Sequence, residues 1–267
     1  MNKIKKNKRL RIVDDMKFKK QAVKRGIIII FVVLAIIIIN ILVKSDILRI
    51  MTIDSPEIGN LEENINKEII PTSNGITIVV DPGHGGRDPG KVGLNGIIEK
   101  DINLSIALKL RDHLERNGYT VIMTRTEDVG LYSEGDSNKQ VSDLQKRVEI
   151  INNSGATLAI SIHQNSFQDE SCKGGQVFYY GSSNESEIFA NIVQEQIKMD
   201  LQTENTRLAK ADTSYYILKK TTCPIVIVEC GFLTNNQEAA LLNDEDYQEK
   251  MAKTIYEGLD TYIKVKE

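Results

Sequence analysis

From residue 76 onward, short apolar runs alternate with longer stretches whose apolar residues recur every three or four positions. ITIVVD (76–81), YTVIMT (119–124), TLAISIH (157–163), QVFYY (176–180), YYIL (215–218) and PIVIVEC (224–230) are rich in β-branched and aromatic residues and predict strands. KDINLSIALKLRDHLERNG (100–118), SDLQKRVEIINNSG (142–155) and ESEIFANIVQEQIKMDL (185–201) predict helices. The first of these has Asp101 as its cap and Gly118 as its stop. Runs such as IVIVE lack the polar alternation of a half-exposed strand, so they read as central strands covered on both faces. The expected fold is a single α/β domain: a mostly parallel, twisted β-sheet of about six strands with helices on both faces. In such sheets ligands collect at the carboxyl ends of strands, where Asp81, His163 and Glu229 fall.

The chain ahead of this domain has a different pattern. Residues 26–43, GIIIIFVVLAIIIINILV, carry no charge, which is about the minimum length for a membrane-spanning helix. Residues 1–25 hold eleven Lys/Arg against Asp14 and Asp15, an excess that keeps this basic segment in the cytoplasm and sends the rest across. A cleaved signal peptide is the competing reading, but LVKSDILRI lacks a small-x-small cleavage pattern. Residues 44–75 are polar, acidic and without sustained periodicity, and read as a stalk. The expected organisation is therefore a basic segment (1–25), a transmembrane anchor (26–43), a stalk (44–75) and an extracytoplasmic domain (76–267).

Charge divides along the same line. Residues 1–49 hold 13 basic and 3 acidic residues, whereas residues 50–267 hold 21 basic and 34 acidic and carry a net −13. An acidic domain does not attract nucleic acid or another polyanion through its overall field. The three cysteines (Cys172, Cys223, Cys230) form no C-x-x-C pair, which argues against a thiolate metal site and a disulfide framework.

Histidine is scarce, and two of only three fall at strand ends. DPGHGG (81–86) with Glu99 after it, SIHQNS (161–166) and VECGF (228–232) bring two imidazoles and two carboxylates into one pattern. Two imidazoles and a carboxylate suffice to hold a catalytic zinc with one position open, leaving a second carboxylate for proton transfer. Each residue has a plainer reading. His84 could fill a glycine-rich turn, and Glu99 could serve a helix N-terminus through the macrodipole. A polar group ending the buried strands at His163 or Glu229 is costly without a partner. His113 flanks the apolar stripe of its helix, three residues from Leu110 and seven from Ile106, and reads as structural.

The motifs IVVDPGHGGRDPG, Glu99-Lys-Asp, Arg125 in MTRTEDVGL, Arg147 in DLQKRVEIIN, SIHQNS and IVIVECGFLTNNQEAALL resemble the zinc-dependent N-acetylmuramoyl-L-alanine amidases of the Amidase_3 type. The resemblance covers residues 76 to about 264, with motifs in the same order and similar spacing. It implies that His84, Glu99 and His163 are ligands of one Zn²⁺ and that Glu229 is the catalytic carboxylate. It implies a zinc hydrolase that cuts the amide between the lactyl group of muramic acid and L-alanine. Zinc would acidify its bound water, and Glu229 would take that water's proton and return it to the departing amine. Some relatives insert an inhibitory helix after the fourth strand, but here only GSSN follows Tyr180.

A lone amidase domain behind an N-terminal anchor is similar to the germination-specific amidases of spore-formers. Those strip peptides from spore cortex as a step to muramic-δ-lactam. The expected place of action is then the space between the forespore membranes. A vegetative autolysin of cell separation is the alternative, and a non-catalytic wall-binding or regulatory homologue a third reading. Expected partners are peptidoglycan, the membrane through the N-terminal helix and an accessory protein, with no nucleic acid.

Overall fold

The structure, a computed structural model, describes residues 73–266. The anchor expected at 26–43, the basic segment before it and nearly all of the stalk lie outside these residues. Among the described residues, no helix is long and apolar enough to cross a membrane.

Six strands and six helices follow one another as β1 (Thr77–Pro82), α1 (Glu99–Arg116), β2 (Thr120–Met123), α2 (Lys139–Asn153), β3 (Leu158–Asn165), β4 (Gln176–Tyr180), α3 (Asn184–Asp200), β5 (Lys210–Asp212), α4 (Tyr216–Lys220), β6 (Ile225–Phe232), α5 (Asn236–Leu242) and α6 (Glu245–Lys266). The strands form one sheet in the order β2-β1-β3-β6-β4-β5. β2, β1, β3 and β6 are mutually parallel. β4 runs antiparallel to β6 and carries β5 parallel to itself.

The strict period of two in β1, β3 and β6 sorts their side chains onto two cores. Ile78, Val80, Leu158, Ile160, Ile162, Val226 and Val228 pack with α1, α3 and α6 on one face. Val79, Ala159, Ile225 and Ile227 face the other way, onto Val148 and Ile151 of α2 and Ile217 and Leu218 of α4. Continuing that alternation to the carboxyl ends of the strands places Asp81, Ser161, His163 and Glu229 on the α2/α4 side. Register then aligns them: Asp81 pairs with Ser161, and His163 with Glu229.

The expected α/β architecture is present, with local departures. YYIL (215–218) is not a strand, because Tyr216–Lys220 form the short helix α4, and the fifth strand is Lys210–Asp212 instead. Aromatic and β-branched residues suit either element over so short a run, and Ile217 and Leu218 are buried from a helix. Asp101 is not the cap of α1 either. Its N-cap is Ile98, and Glu99 and Asp101 occupy the first turn, where the helix dipole favours carboxylates. Gly118 does end the helix, in a left-handed conformation (φ +85°). All three cysteines are free; Cys230 is buried and Cys223 packs half-buried at the α2/α4 core.

Phe189 of α3 is fully buried and stacks on Tyr262 of α6 with ring centroids 4.7 Å apart. Phe189→Ala is expected to cost about 3–5 kcal/mol, read as a lower urea midpoint with an unchanged m-value.

Candidate active site

The loop after β1 begins the site and is held in an unusual shape. His84 has φ +62°, a left-handed conformation that costs a non-glycine residue free energy and persists only when its surroundings impose it. The imposing group is Arg147, 2% exposed, from α2. It donates to Asp81 Oδ1 (2.6 Å), the Pro82 carbonyl (2.7 Å), the His84 carbonyl (2.6 Å) and Asp143 Oδ2 (2.6 Å). Arg125, following β2, donates to the Pro82 carbonyl (3.0 Å), the Gly83 carbonyl (3.0 Å) and the Lys100 carbonyl (2.9 Å). Asp81 also accepts from Thr124 (2.6 Å) and Ser161 (2.6 Å). Burial by itself would raise the Asp81 pKa, but Arg147 and these hydroxyls hold it below the ordinary value.

Within this frame three ligand-capable atoms meet. His84 Nε2 lies 3.2 Å and His163 Nδ1 3.1 Å from Glu99 Oε1. The two rings approach edge to face with centroids 4.9 Å apart. His84, Glu99 and His163 thus form a group able to hold a metal ion, their donor atoms all within 4.8 Å of one another. Two glycines make the approach possible. A Cβ on Gly83 would lie 2.1 Å from the His163 ring, and one on Gly90 would lie 2.6 Å from Glu99 Oε2.

Two of the three members, His84 and Glu99, are oriented by further neighbours, as ligands at metal sites commonly are. His84 Nδ1 bonds Asp88 Oδ2 at 2.8 Å, leaving Nε2 to face the cluster. Burial would lower the His84 pKa, but Asp88 and Glu99 outweigh it and raise it to about 9. Glu99 accepts from the backbone N–H groups of Lys91 (2.7 Å) and Gln164 (3.1 Å) and from Asn103 (3.3 Å). Although burial opposes ionisation, the two imidazoles hold the Glu99 carboxyl well below the usual range. It is the negative member of the cluster.

Glu229 is likewise buried but differs from Glu99 in its partners. It sits beside His163 on β6, is 8% exposed, and its Oε2 finds no hydrogen-bond partner among the described residues. Burial, with Glu99 adding to it and the two imidazoles opposing it, pushes its pKa up to about 7. It does not belong to the three-residue cluster. A cavity of about 430 Å³ opens over both groups, with Gln140 and Leu144 of α2 on one wall and Tyr215, Tyr216 and Ile217 on the other.

The four residues singled out in the sequence are therefore brought together, and His113 is not with them. It bonds Glu249 at 2.8 Å and stacks on Tyr256, between α1 and α6. Asp88 escaped the sequence reading because nothing in RDPG marks it apart from a turn acid. Its i+4 spacing from His84 was the available signal.

Comparison with known proteins follows the same geometry. Residues 78–261 match the Amidase_3 family model, described as N-acetylmuramoyl-L-alanine amidase. The chain is 42% identical over 193 residues to the germination-specific N-acetylmuramoyl-L-alanine amidase of Bacillus subtilis, covering 71% of this chain and 81% of that protein. Among solved structures it is similar to the CwlD amidase from Clostridioides difficile in complex with the GerS lipoprotein, with 42% identity, a TM-score of 0.69 and coverage of 71% of this chain and 99% of that one. It is also similar to the amidase AmiC2 of Nostoc punctiforme, with 32% identity, a TM-score of 0.63 and coverage of 72% and 99%.

The buried Asp81–Arg147 pair sets an acid limit. Because the folded-state pKa of Asp81 is lowered from 3.8, its contribution is full well above that value and is lost as pH falls below it. Asp81→Asn leaves Arg147 buried without its anion and is expected to cost about 3–5 kcal/mol at neutral pH. The gap from wild type should narrow in unfolding curves recorded as pH drops through 3.8. A pH-independent gap would show that the Asp81 charge is not what stabilises.

Proposed function

The chain belongs to the N-acetylmuramoyl-L-alanine amidase family, and from that premise we propose that it is a zinc-dependent peptidoglycan amidase of the spore cortex. As a family member it is a hydrolase acting on the amide between N-acetylmuramic acid and L-alanine. The observation that carries the zinc reading is the convergence of His84 Nε2, His163 Nδ1 and Glu99 Oε1 beside a carboxylate that does not join them. Two imidazoles and one carboxylate are the donor set of catalytic zinc sites, which leave a coordination position open.

Zinc bound there would acidify water and polarise the scissile carbonyl. The residues divide the remaining work. His84, Glu99 and His163 would hold the ion, with Asp88 fixing the His84 ring and the two backbone N–H groups fixing Glu99. Glu229 is the proton carrier. With a pKa near 7 and an unpartnered Oε2, it can accept a proton from the attacking water and deliver it to the nitrogen of departing L-alanine. The products are a glycan without its peptide and a free stem.

The cortex assignment, with muramic-δ-lactam as the later product, is supported by the similarity to the germination-specific enzyme. That the C. difficile relative is in complex with a lipoprotein supports an accessory protein partner here. The anchor at 26–43 and the positive charge before it support an extracytoplasmic domain, in a sporulating cell between the forespore membranes.

Peptidoglycan digested by the purified domain, with and without added zinc, should release muropeptides cut between muramic acid and L-alanine only when zinc is present. His163→Ala should lose stoichiometric zinc, whereas His113→Ala should keep it. Glu229→Gln should fold and bind zinc but lose about 10²–10⁴-fold in kcat. Loss of metal in the Gln variant would make Glu229 a ligand, and full activity would end its role as proton carrier.

Topology is tested on intact protoplasts. Added protease should remove residues 44–267. Protection of the domain, or its appearance in the medium as a fragment shortened near residue 45, would contradict the anchor.

A further inference from the structure

The two walls of the cavity are chemically unlike, and the difference gives a bound substrate a direction. On one side, Tyr215 and Tyr216 line the cavity while remaining 36% and 37% exposed. Their position is built. Asp212 Oδ1 accepts from the backbone N–H groups of Ser214 (2.6 Å) and Tyr215 (3.0 Å), fixing the turn into α4. The Tyr215 ring packs edge to face on Phe178 of β4 with centroids 5.7 Å apart. An aromatic side chain held this way at the rim of a polar cavity offers an apolar face together with a hydroxyl. That combination suits a pyranose ring, whose C–H face is apolar and whose edge is hydroxylated.

On the other side, the cavity runs into a cleft of about 290 Å³ that shares Asp88, Gln140 and Asp143 with it and adds Arg87, Tyr132 and Lys139. The shared acids are already committed, Asp88 to His84 and Asp143 to Arg147 and the Leu131 N–H. Arg87 and Lys139 have one carboxylate between them, Glu134, at 3.7 and 2.5 Å, and it is 77% exposed. Lys139 is further held over the Tyr132 ring at 5.1 Å. Arg87, its side chain 71% exposed, and Lys139 place their N–H donors at this cleft, where they can meet an incoming anion. Such a cleft suits a short anionic peptide.

We propose that the substrate lies across the site in one direction, its muramoyl ring against Tyr215 and Tyr216 and its peptide stem running into the Arg87/Lys139 cleft. This rests on the amidase reading, since that reaction's substrate has a saccharide on one side of the scissile amide and a peptide on the other. The aromatic wall then recognises the acyl side of the bond and the Arg87/Lys139 cleft the amine side. Glu229 and the metal ligands lie between them.

The test uses zinc-loaded protein and two muropeptides with the same disaccharide, one whose second stem residue carries a free α-carboxylate and one in which that group is the amide. Tyr215→Ala should raise KM about 5–10-fold on both, with kcat and zinc content kept, and Tyr215→Trp should restore KM. Peptide-free glycan fragments should inhibit wild type competitively and Tyr215→Ala less well. The charge reversal Arg87→Glu/Lys139→Glu should lower kcat/KM about 5-fold more on the carboxylate stem than on the amide. The direction is overturned if Tyr215→Ala discriminates between the stems, if glycan inhibits it as it does wild type, or if the charge reversal treats the two stems alike. Wild-type protein that cleaves neither muropeptide would instead sink the amidase reading itself.

Discussion

A guanidinium and a carboxylate buried together cost several kcal/mol each in lost hydration, and the Asp81–Arg147 pair offsets that only because every donor and acceptor around it is used. The arrangement matters beyond stability. Arg147 reaches past Asp81 to the carbonyls of Pro82 and His84, so one side chain from α2 determines the path of the loop that leaves β1. His84 takes its left-handed conformation under that constraint, and Asp88 then turns its ring so that Nε2 faces Glu99. If the pair is broken, the loop loses its reason to hold this shape, and the cluster loses one of its three members.

The two glutamates show how neighbours assign roles to identical side chains. Glu99 receives backbone and side-chain donors and stands between two imidazoles, so its charge is stabilised despite burial. Glu229 receives no donor at Oε2 and is pushed towards neutral pH by burial. Carboxylates whose environments drive their pKa values apart divide naturally into a group that stays charged and a group that exchanges protons. The separation arises at one sheet edge, where β3 and β6 place His163 and Glu229 side by side while α1 brings Glu99 from the opposite layer.

The reversal of direction at β4 contributes to the site as well. Because β4 runs antiparallel to β6, the chain leaving β5 returns along the α2/α4 face and lays α4 beside the cavity. Phe178 on β4 supports Tyr215 from beneath, while α2 supplies the opposite wall. The site is thus bounded by elements distant in the chain, and its two ends, one aromatic and one carrying Arg87 and Lys139, differ because different elements flank them.

Sequence by itself determined the strands that carry chemistry. Near-continuous apolar runs ending in Asp81, His163 and Glu229 leave little choice of element, and the scarcity of histidine makes His84 and His163 stand out at strand ends. It also carries the charge division between residues 1–49 and the rest, since that depends on composition alone, and the expectation of an anchor at 26–43. Tertiary structure decided what required a partner. YYIL could be strand or helix until Ile217 and Leu218 had a core to face, and β5 at Lys210–Asp212 is too short and too polar to declare itself. Asp88 became an orienting group only when the loop folded back on His84. Residue type and period are local properties and can be read along a chain. Ligand orientation, carboxylate pKa and the two walls of the cavity depend on distances between residues tens of positions apart, and those exist only once the sheet has formed.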